Sequence, residues 1–209
     1  MRYRLAAFDF DGTLADSFGW FVGILNEVAE TFSFRRLGPA DVEHVRGLEG
    51  RPLLKYLGLP LWKLPRVASH VRALQSRDIG VIKLFPGVPE MLRGLHTAGV
   101  TVAVVSSNAE PNIRQVLGPE LSGLVRHFGC GASMFGKRSK LVAACRAVGV
   151  RPAEAIYVGD EGRDVEAAAR AGMASGAVAW GYAPLETLVA RRPTMTFAEP
   201  AEVIRRVTA

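Results

Sequence analysis

The chain has 209 residues, of which 49% are hydrophobic and 22% are charged, a composition typical of an ordinary globular protein. A chain of this length buries about 70% of its unfolded surface, so it needs no disulfides or structural metal to be stable. No apolar run approaches the roughly 18 residues of a membrane span. The formal net charge is +6, but the basic residues are dispersed, which weakly favours an anionic substrate and argues against a nucleic-acid partner.

Two further features concern the compartment of the protein. Cys130 and Cys145 lack the spacing of metal ligands, so we expect two buried, reduced thiols. The N-terminus carries Arg2 and Arg4, but its apolar stretch soon meets Asp9, so no signal peptide is expected. These features predict a cytoplasmic protein.

Apolar runs of strand length alternate with segments that have helical spacing. Strands are predicted at residues 5–10, 100–105, 125–130, 155–158, 176–180 and 195–197. Helices are predicted at residues 86–98, 111–117, 139–148, 163–171 and 200–207. Near-continuous apolar runs are typical of strands buried on both faces of a parallel sheet. The pattern therefore predicts an α/β fold with a doubly wound, Rossmann-like parallel sheet.

One long stretch breaks this alternation. Residues 17–84 have a helical pattern throughout, with no convincing strand. Candidate hinges stand at its two ends, at Asp16-Ser17 and at Phe85-Pro86-Gly87. We predict a core of residues 1–16 and 85–209 with an inserted all-helical cap of residues 17–84. The alternative is that these helices simply extend the core.

The acids after the first predicted strand are the strongest indication of chemistry. Asp9 and Asp11 stand at the carboxyl edge of the sheet, where open α/β folds bind ligands. A calcium loop would need Gly at its sixth position and Glu at its twelfth; counted from Asp9, those positions hold Leu14 and Trp20. The pair therefore favours a magnesium site with a carboxylate free to attack. The simpler alternative is a solvated turn.

Three later segments bring complementary groups to the same edge of the sheet. They are Ser106-Ser107-Asn108 after the second core strand, Lys137 and Lys140 at a helix start, and Asp160 with Asp164 after the fourth strand. Because parallel strand ends share one edge, these groups should meet in one crevice. A phosphate charge and a carboxylate charge 4 Å apart repel by about 4 kcal/mol. Magnesium and a lysine would offset that repulsion, so the set suits phosphoryl transfer.

The order of these groups resembles the haloacid dehalogenase superfamily, specifically its phosphatases with a small helical cap, such as phosphoglycolate phosphatases. The run from Asp9 to Thr13 matches the first family motif, Asp-x-Asp-Gly-Thr, and Ser106 matches the second. The third is a lysine, and the fourth, Gly-Asp-x-x-x-Asp, falls on Gly159, Asp160 and Asp164. The resemblance spans nearly the whole chain, and the first and fourth motifs together are specific.

The resemblance implies a magnesium-dependent phosphatase that acts through an aspartyl-phosphate. Asp9 would be the nucleophile, and Asp11 would be the general acid and then the base. Ser106 would donate to a phosphoryl oxygen, and the lysine would hold that group and Asp9 together. The implied metal site comprises Asp9, Asp11, Asp160 and Asp164. The expected substrate-binding residues are Gly12, Thr13, Ser107, Asn108 and Arg51.

The chain departs from its relatives at two positions. It lacks the Lys-Pro pair that many cap-bearing phosphatases carry at the third motif. Lys137 is preferred to Lys140 as the catalytic lysine because it lies 23 residues before Asp160 and because Leu141 and Ala144 then fall on one helical face, as in relatives with a lysine at a helix start. Glu161 replaces a serine that is common after the fourth-motif aspartate, and it would contact either a metal-bound water or solvent.

The cap is expected to select the substrate. Arg46, Arg51 and Lys55 are candidates to reach an anionic group at its far end, with ordinary surface cations as the alternative. Trp20, Trp62 and Trp180 are expected to pack rather than to stack on a ligand.

Four other functions are alternatives to a phosphatase. A dehalogenase is disfavoured because it does not use the acid-base chemistry of Asp11, whereas a sugar-phosphate mutase shares every core motif. A basic nucleic-acid-binding protein lacks the expected aromatic strands and basic stripe. An inactive regulator would leave buried carboxylates unused. We expect a monomer or homodimer that acts on a small phosphorylated substrate.

Overall fold

The computed structural model describes residues 3–46, 48, 50–131 and 136–209. In chain order, the strands are β1 (Leu5–Phe8), β2 (Ala15–Asp16), β3 (Lys83–Leu84), β4 (Thr101–Val105), β5 (Val125–Gly129), β6 (Ala155–Gly159), β7 (Ala174–Val178) and β8 (Met195–Phe197). The helices are α1 (Phe18–Phe32), α2 (Pro39–Arg46), α3 (Gly50–Leu57), α4 (Leu64–Arg77), α5 (Val88–Thr97), α6 (Glu110–Leu124), α7 (Gly136–Val148), α8 (Gly162–Ala171), α9 (Leu185–Val189) and α10 (Pro200–Thr208).

A six-stranded parallel sheet forms the centre of the molecule, in the order β5-β4-β1-β6-β7-β8. Within β1, Leu5 pairs with Thr101 of β4 on one side and with Ala155 of β6 on the other. The chain fills the β4 side first and then crosses to β6, so the strand order reverses at β1. In open α/β sheets, ligands bind outside the carboxyl ends of the strands at this switch point. The prediction of a doubly wound parallel sheet is confirmed.

Both faces of the sheet are covered by helices. Leu5 and Ala7 of β1 belong to the cluster that includes Leu141 of α7 and Ala168 of α8. The alternate residues of the strand, Ala6 and Phe8, belong to the opposite cluster, to which α5, α6 and α10 contribute. Burial on both faces is the reason that the strands are continuously apolar instead of alternating with polar residues.

Several predicted boundaries were wrong by a few residues. The first strand ends at Phe8 instead of residue 10, because the Phe10 carbonyl accepts the amides of three following residues and closes a turn. The strand predicted at 176–180 lies at Ala174–Val178. The helix predicted at 111–117 continues to Leu124 across a break at Gly118, and the five-residue α9 was missed because it is too short to show a period.

The stretch between β2 and β3 carries helices α1 to α4, which share a hydrophobic cluster of their own. Its buried members are Ile24, Leu25, Val28, Leu37, Val45, Leu57, Leu59, Val67 and Leu74. The prediction that residues 17–84 contain no strand was wrong, because Lys83–Leu84 pairs with Ala15–Asp16 in an antiparallel ladder. That ladder holds the entry and exit of the helical stretch side by side. The division of the chain into two domains stays a prediction.

Three smaller predictions concern packing and the membrane. Trp62 is 70% exposed, so its predicted packing role was wrong, whereas Trp20 and Trp180 pack against the core. Both cysteines are free; Cys145 is buried, but Cys130 is only partly buried. Among the helices described, none has both the length and the apolar character needed to cross a bilayer.

Candidate active site

Three carboxylates meet at the switch point of the sheet. Asp9 follows β1, Asp160 follows β6, and Asp164 lies in the first turn of α8. All three residues are buried, and one oxygen from each lies within 4.8 Å of the others. Oxygen donors in small number suit a hard divalent cation. The residues present therefore fit a metal ion.

The acid cluster carries more negative charge than its surroundings neutralise. Burial raises the pKa of Asp160 well above its ordinary value, and the nearby charges of Glu161, Asp164 and Asp9 raise it further. Burial also raises the pKa of Glu161 to about 7, although its carboxylate contacts the Arg163 guanidinium. Like charges forced together in a buried site are relieved by a cation, so the electrostatics agree with the donor set.

Asp160 is held by its neighbours on both oxygens. The Thr13 hydroxyl donates to Oδ1 at 2.7 Å, and the Tyr182 amide donates to Oδ2 at 2.9 Å. Two glycines make room for it: a Cβ on Gly12 would lie 2.1 Å from Asp160 Oδ2, and one on Gly181 would lie 2.1 Å from Asp160 Cβ. The predicted substrate residues Gly12 and Thr13 thus contact the acid cluster, and the Gly12 amide already donates to the Ala15 carbonyl.

The two candidate lysines have different surroundings. Lys137 Nζ lies 2.6 Å from Asp9 Oδ2 and 2.5 Å from Asp164 Oδ1. Lys140 instead donates to the backbone carbonyls of Ser106 and Gly131. Burial is the largest single effect and acts to raise the pKa of Asp9, but the charge and hydrogen bond of Lys137, the Arg163 charge and the Phe10 amide together outweigh it, and the pKa lies below the ordinary value. An ionised Asp9 carboxylate is the form that a nucleophile requires.

Asp11 lies beside this cluster but is held by different groups. Its Oδ1 accepts the Ser17 hydroxyl at 2.8 Å and the Gln75 amide at 2.7 Å, and its Oδ2 accepts the Asn108 amide at 3.0 Å. Burial raises the pKa of Asp11 to about 6, against the effect of these hydrogen bonds. The grouping of Asp9, Asp160 and Asp164 does not include Asp11 among the described acids. The structure therefore adds no support for Asp11 as a metal ligand, and that role stays a prediction.

The segment after β4 supplies the predicted hydroxyl and amide groups. Ser106 is buried, and its Oγ accepts the backbone N–H of Asn108 at 3.2 Å, which leaves the hydroxyl hydrogen for another acceptor. Asn108 is buried as well and reaches Asp11, whereas Ser107 is exposed. Ser107 and Asn108 both line the cavity above Asp11.

This cavity has a volume of about 300 Å³ and lies between the helical stretch and the sheet edge. Its apolar walls come largely from α1, α3 and α4, and its floor includes Asp11 and Asn108. The cations that line it are Arg46, Arg72 and Arg163. A small ligand in it would therefore meet the acids at one end and arginines elsewhere.

Two arginines of the helical stretch, Arg46 and Arg51, have different surroundings from those expected from the sequence. Arg51 is exposed and does not line the cavity, so its predicted contact with substrate has no support here. Arg46 does line it, but its guanidinium donates to the carbonyls of Gly181 and Tyr182, at 2.9 Å each. Arg46 thereby joins α2 to the loop that holds Asp160.

Sequence reasoning missed Gln75, Tyr182 and the hydrogen-bonding role of Ser17. Tyr182 contacts the Ser17 hydroxyl through its own hydroxyl, at 2.7 Å. Ser17 continues the first motif and lies six residues from Asp11. No motif marks Gln75 or Tyr182, because their partners lie far away in the chain. A buried glutamine on an amphipathic helix was the one available signal, since such residues are seldom buried without a partner.

Comparisons with known proteins place the chain among characterised relatives. The family model described as haloacid dehalogenase-like hydrolase matches residues 6–178. A phosphoglycolate phosphatase from Synechococcus elongatus is 33% identical, over 96% of this chain and 95% of that protein. The tyrosine-protein kinase PtkA of Mycobacterium tuberculosis is 31% identical, over 86% of this chain and 63% of that protein. The solved structure of a haloacid dehalogenase-like family hydrolase from Streptococcus pneumoniae superposes with a TM-score of 0.82 at 20% identity, covering 98% of each chain.

Proposed function

The chain belongs to the haloacid dehalogenase-like hydrolase family, and from that premise we propose that this enzyme is a magnesium-dependent phosphatase of a small phosphorylated metabolite. The class of substrate is that of phosphoglycolate and sugar phosphates. The reaction is hydrolysis of a phosphoric monoester through an aspartyl-phosphate on Asp9.

One observation carries the proposal: the buried Asp9 carboxylate contacts Lys137 at 2.6 Å and lies within the carboxylate cluster that includes Asp160 and Asp164. A lone carboxylate would repel an incoming phosphate by about 4 kcal/mol for each charge pair. An ammonium group already bound to the attacking carboxylate reduces that repulsion. A cation held by the acid cluster would offset the remaining negative charge, and the site would then suit an anionic substrate.

In the first step, an Asp9 carboxylate oxygen attacks phosphorus and the bond from phosphorus to the leaving oxygen breaks. Asp11 gives its proton to the leaving oxygen, which departs as an alcohol. Lys137 holds Asp9, and Ser106 donates its hydroxyl hydrogen to a phosphoryl oxygen. The products of this step are the alcohol, ionised Asp11 and an aspartyl-phosphate.

In the second step, water attacks the phosphorus and Asp11 takes the proton that the water loses. The bond to Asp9 breaks, which regenerates its carboxylate and releases inorganic phosphate. Asp9, Asp160 and Asp164 would hold Mg²⁺, which when bound supplies positive charge against the phosphoryl oxygens.

The cavity over Asp11 supports a substrate of modest size. Its volume of about 300 Å³ is at the low end of the range for small-molecule sites. Arg72 is only partly buried, on the side of α4 that faces the cavity, and would meet a carboxylate or second phosphate on the leaving group. Phe18, Phe21 and Val71 would enclose the carbon chain between the two charged ends.

The phosphatase is favoured over a kinase activity. The phosphoglycolate phosphatase relative matches over nearly its whole length, whereas the kinase relative extends well beyond the matched region. Hydrolysis also needs only water, which Asp11 would activate as a base.

The test is a screen of phosphorylated compounds with purified protein: phosphoglycolate, sugar phosphates, nucleotides and phosphorylated amino-acid precursors. We expect release of inorganic phosphate that requires Mg²⁺ and stops with excess chelator. The Asp9→Asn variant should fold normally and lose activity by several orders of magnitude, because an amide cannot attack.

Two results would overturn the proposal. One is an active, folded Asp9→Asn variant, and the other is turnover that persists in excess chelator. An isomerised sugar phosphate without net phosphate release would assign the protein to the mutases that share its core motifs.

A further inference from the structure

Gln75 is a buried polar residue on α4, a helix of the stretch between β2 and β3. It is 7% exposed, and its neighbours in the buried face of α4 are the apolar Val67 and Leu74. Its side-chain amide donates to Asp11 Oδ1 at 2.7 Å. A buried amide costs free energy unless its donors are used, so this contact defines where the side chain lies.

The other two donors to Asp11 come from different elements. Ser17, which precedes α1, donates to Oδ1, and Asn108, which follows β4, donates to Oδ2. The Oδ1 atom therefore accepts two hydrogen bonds and Oδ2 accepts one. The three bonds fix the plane of the carboxylate and leave Oδ2 as the oxygen with room for a transferable proton.

A second path joins α4 to the same carboxylate. Asn112 donates through Nδ2 to the Ser76 hydroxyl, at 3.0 Å, and to Asn108 Oδ1, at 3.0 Å. Asn108 in turn donates to Asp11. Two consecutive residues of α4, Gln75 and Ser76, thus reach Asp11, one directly and one through a pair of asparagines.

We propose that Gln75 is a positioning residue that orients the Asp11 carboxyl group for proton transfer when α4 covers the site. The inference rests on the proposed phosphatase reaction, in which Asp11 protonates the leaving oxygen. Its consequence is that the helical stretch contributes to chemistry as well as to substrate selection. With α4 in place, three donors align the Asp11 carboxyl group; without the Gln75 amide, only Ser17 and Asn108 hold it, and its orientation is less firmly fixed.

The leaving group of the substrate separates this role from a structural one. An alcohol leaving group needs the proton from Asp11, whereas dinitrophenolate departs without it. The ratio kcat/KM reports on steps up to departure of the leaving group, so it excludes the later use of Asp11 as a base. General acid catalysis contributes about 10²- to 10⁴-fold, and misplacement by about 1 Å can cost 10²-fold.

The experiment compares the wild-type enzyme with Gln75→Met, which keeps the length of the side chain and lacks the donor. The substrates are phosphoglycolate, or the best alkyl phosphate of the screen, and 2,4-dinitrophenyl phosphate. For Gln75→Met we expect kcat/KM to fall about 10- to 100-fold with the alkyl phosphate and less than about threefold with the dinitrophenyl ester.

Two controls accompany this comparison. Arg66→Met changes an exposed residue of the same helix and should leave kcat/KM unchanged for both substrates. In an Asp11→Asn background, Gln75→Met should cause no further loss with the alkyl phosphate, because its effect acts through Asp11. Thermal unfolding of each variant checks that the fold is retained.

An equal loss of kcat/KM for both substrates would overturn the inference, as would a rise in KM alone, which would make Gln75 a substrate-binding residue. Neither result bears on the phosphatase itself, because the wild-type enzyme would still release phosphate. Failure of the wild-type enzyme to hydrolyse any phosphate ester would overturn the proposed function and this inference with it.

Discussion

At the scale of single residues, the acid cluster depends on two glycines, because the absence of a Cβ at each leaves room for Asp160. Gly12 and Gly181 both border Asp160, and a methyl group at either position would lie 2.1 Å from an Asp160 atom. Gly12 also has φ of +76°, which favours glycine. The sequence motif pointed to Gly12, whereas Gly181 marked only the end of the stretch that resembles the family and was assigned no role.

Gly181→Ala should reduce activity at a fixed magnesium concentration by 10-fold or more. The new Cβ would meet Asp160 Cβ and, at 2.6 Å, the Gly12 carbonyl oxygen; both belong to the catalytic edge, so Asp160 must move. Overpacking of this kind costs about 1–3 kcal/mol of stability. Magnesium titrations of activity and the unfolding midpoint measure the two effects.

The matched control is Gly23→Ala, which lies in α1 with nothing within 4 Å of its new methyl group. We expect it to retain activity and to be slightly more stable, because alanine favours the helix by up to about 1 kcal/mol. Wild-type magnesium dependence in Gly181→Ala would show that Asp160 does not need its present position.

At the scale of elements, polar side chains bind the helical stretch to the core. Arg46 at the end of α2 donates to two carbonyls of the 181–182 loop, and its guanidinium lies 5.1 Å from the centre of the Phe18 ring. The same loop supplies the Tyr182 amide to Asp160. The arginine thus connects α2 to the buried carboxylate of Asp160 through a single loop.

Arg46→Met should lower kcat/KM about 10- to 100-fold, since a hydrogen bond from a charged group contributes about 1.5–3 kcal/mol. Steady-state kinetics on the best substrate measure the change. Arg51→Met serves as the control: it removes an exposed guanidinium outside the cavity, and kinetics like those of the wild type are expected. A rise in KM for Arg51→Met and none for Arg46→Met would restore the sequence-based assignment of Arg51.

At the scale of the whole molecule, the buried acids link stability to the cation. Asp9, Asp160 and Asp164 come from separate parts of the chain and repel one another once folding brings them together. A cation that binds only the folded state stabilises it by about 2.7 kcal/mol at 100 times its Kd. For a chain of this length each kcal/mol raises Tm by about 2–4 °C.

Magnesium at saturation should therefore raise Tm by roughly 5–10 °C, and excess chelator should reverse the rise. The Asp160→Asn variant should show a smaller response, because it loses a ligand and relieves part of the repulsion. Calorimetry with and without Mg²⁺ measures both, and it needs no substrate. An identical Tm in magnesium and in chelator would contradict a metal site made of these acids.

Much of this architecture could be predicted because its cause is local. Strands buried on both faces must be apolar at successive positions, so β1, β4 and β6 stand out in the sequence as continuous runs. Acids placed directly after such runs must reach the same edge of a parallel sheet, which is why Asp9 and Asp160 could be paired in advance.

Other features could not be predicted because their partners are distant in the chain. The two-residue strands β2 and β3 acquire their pairing only when the helical stretch folds back on itself. Gln75 and Arg46 acquire their hydrogen-bond partners only when α4 and α2 lie against the edge of the sheet that carries the acids. Short elements and long-range hydrogen bonds carry no periodic signal.

The sequence by itself determined the sheet, the family and the order in which acids, hydroxyls and a lysine reach its edge, because apolar period and motif spacing are properties of neighbouring residues. Only the tertiary structure decided which lysine contacts Asp9, which arginine lines the cavity, and which residue of α4 holds Asp11. Those choices depend on distances between groups far apart in the chain, and such distances exist only once it has folded.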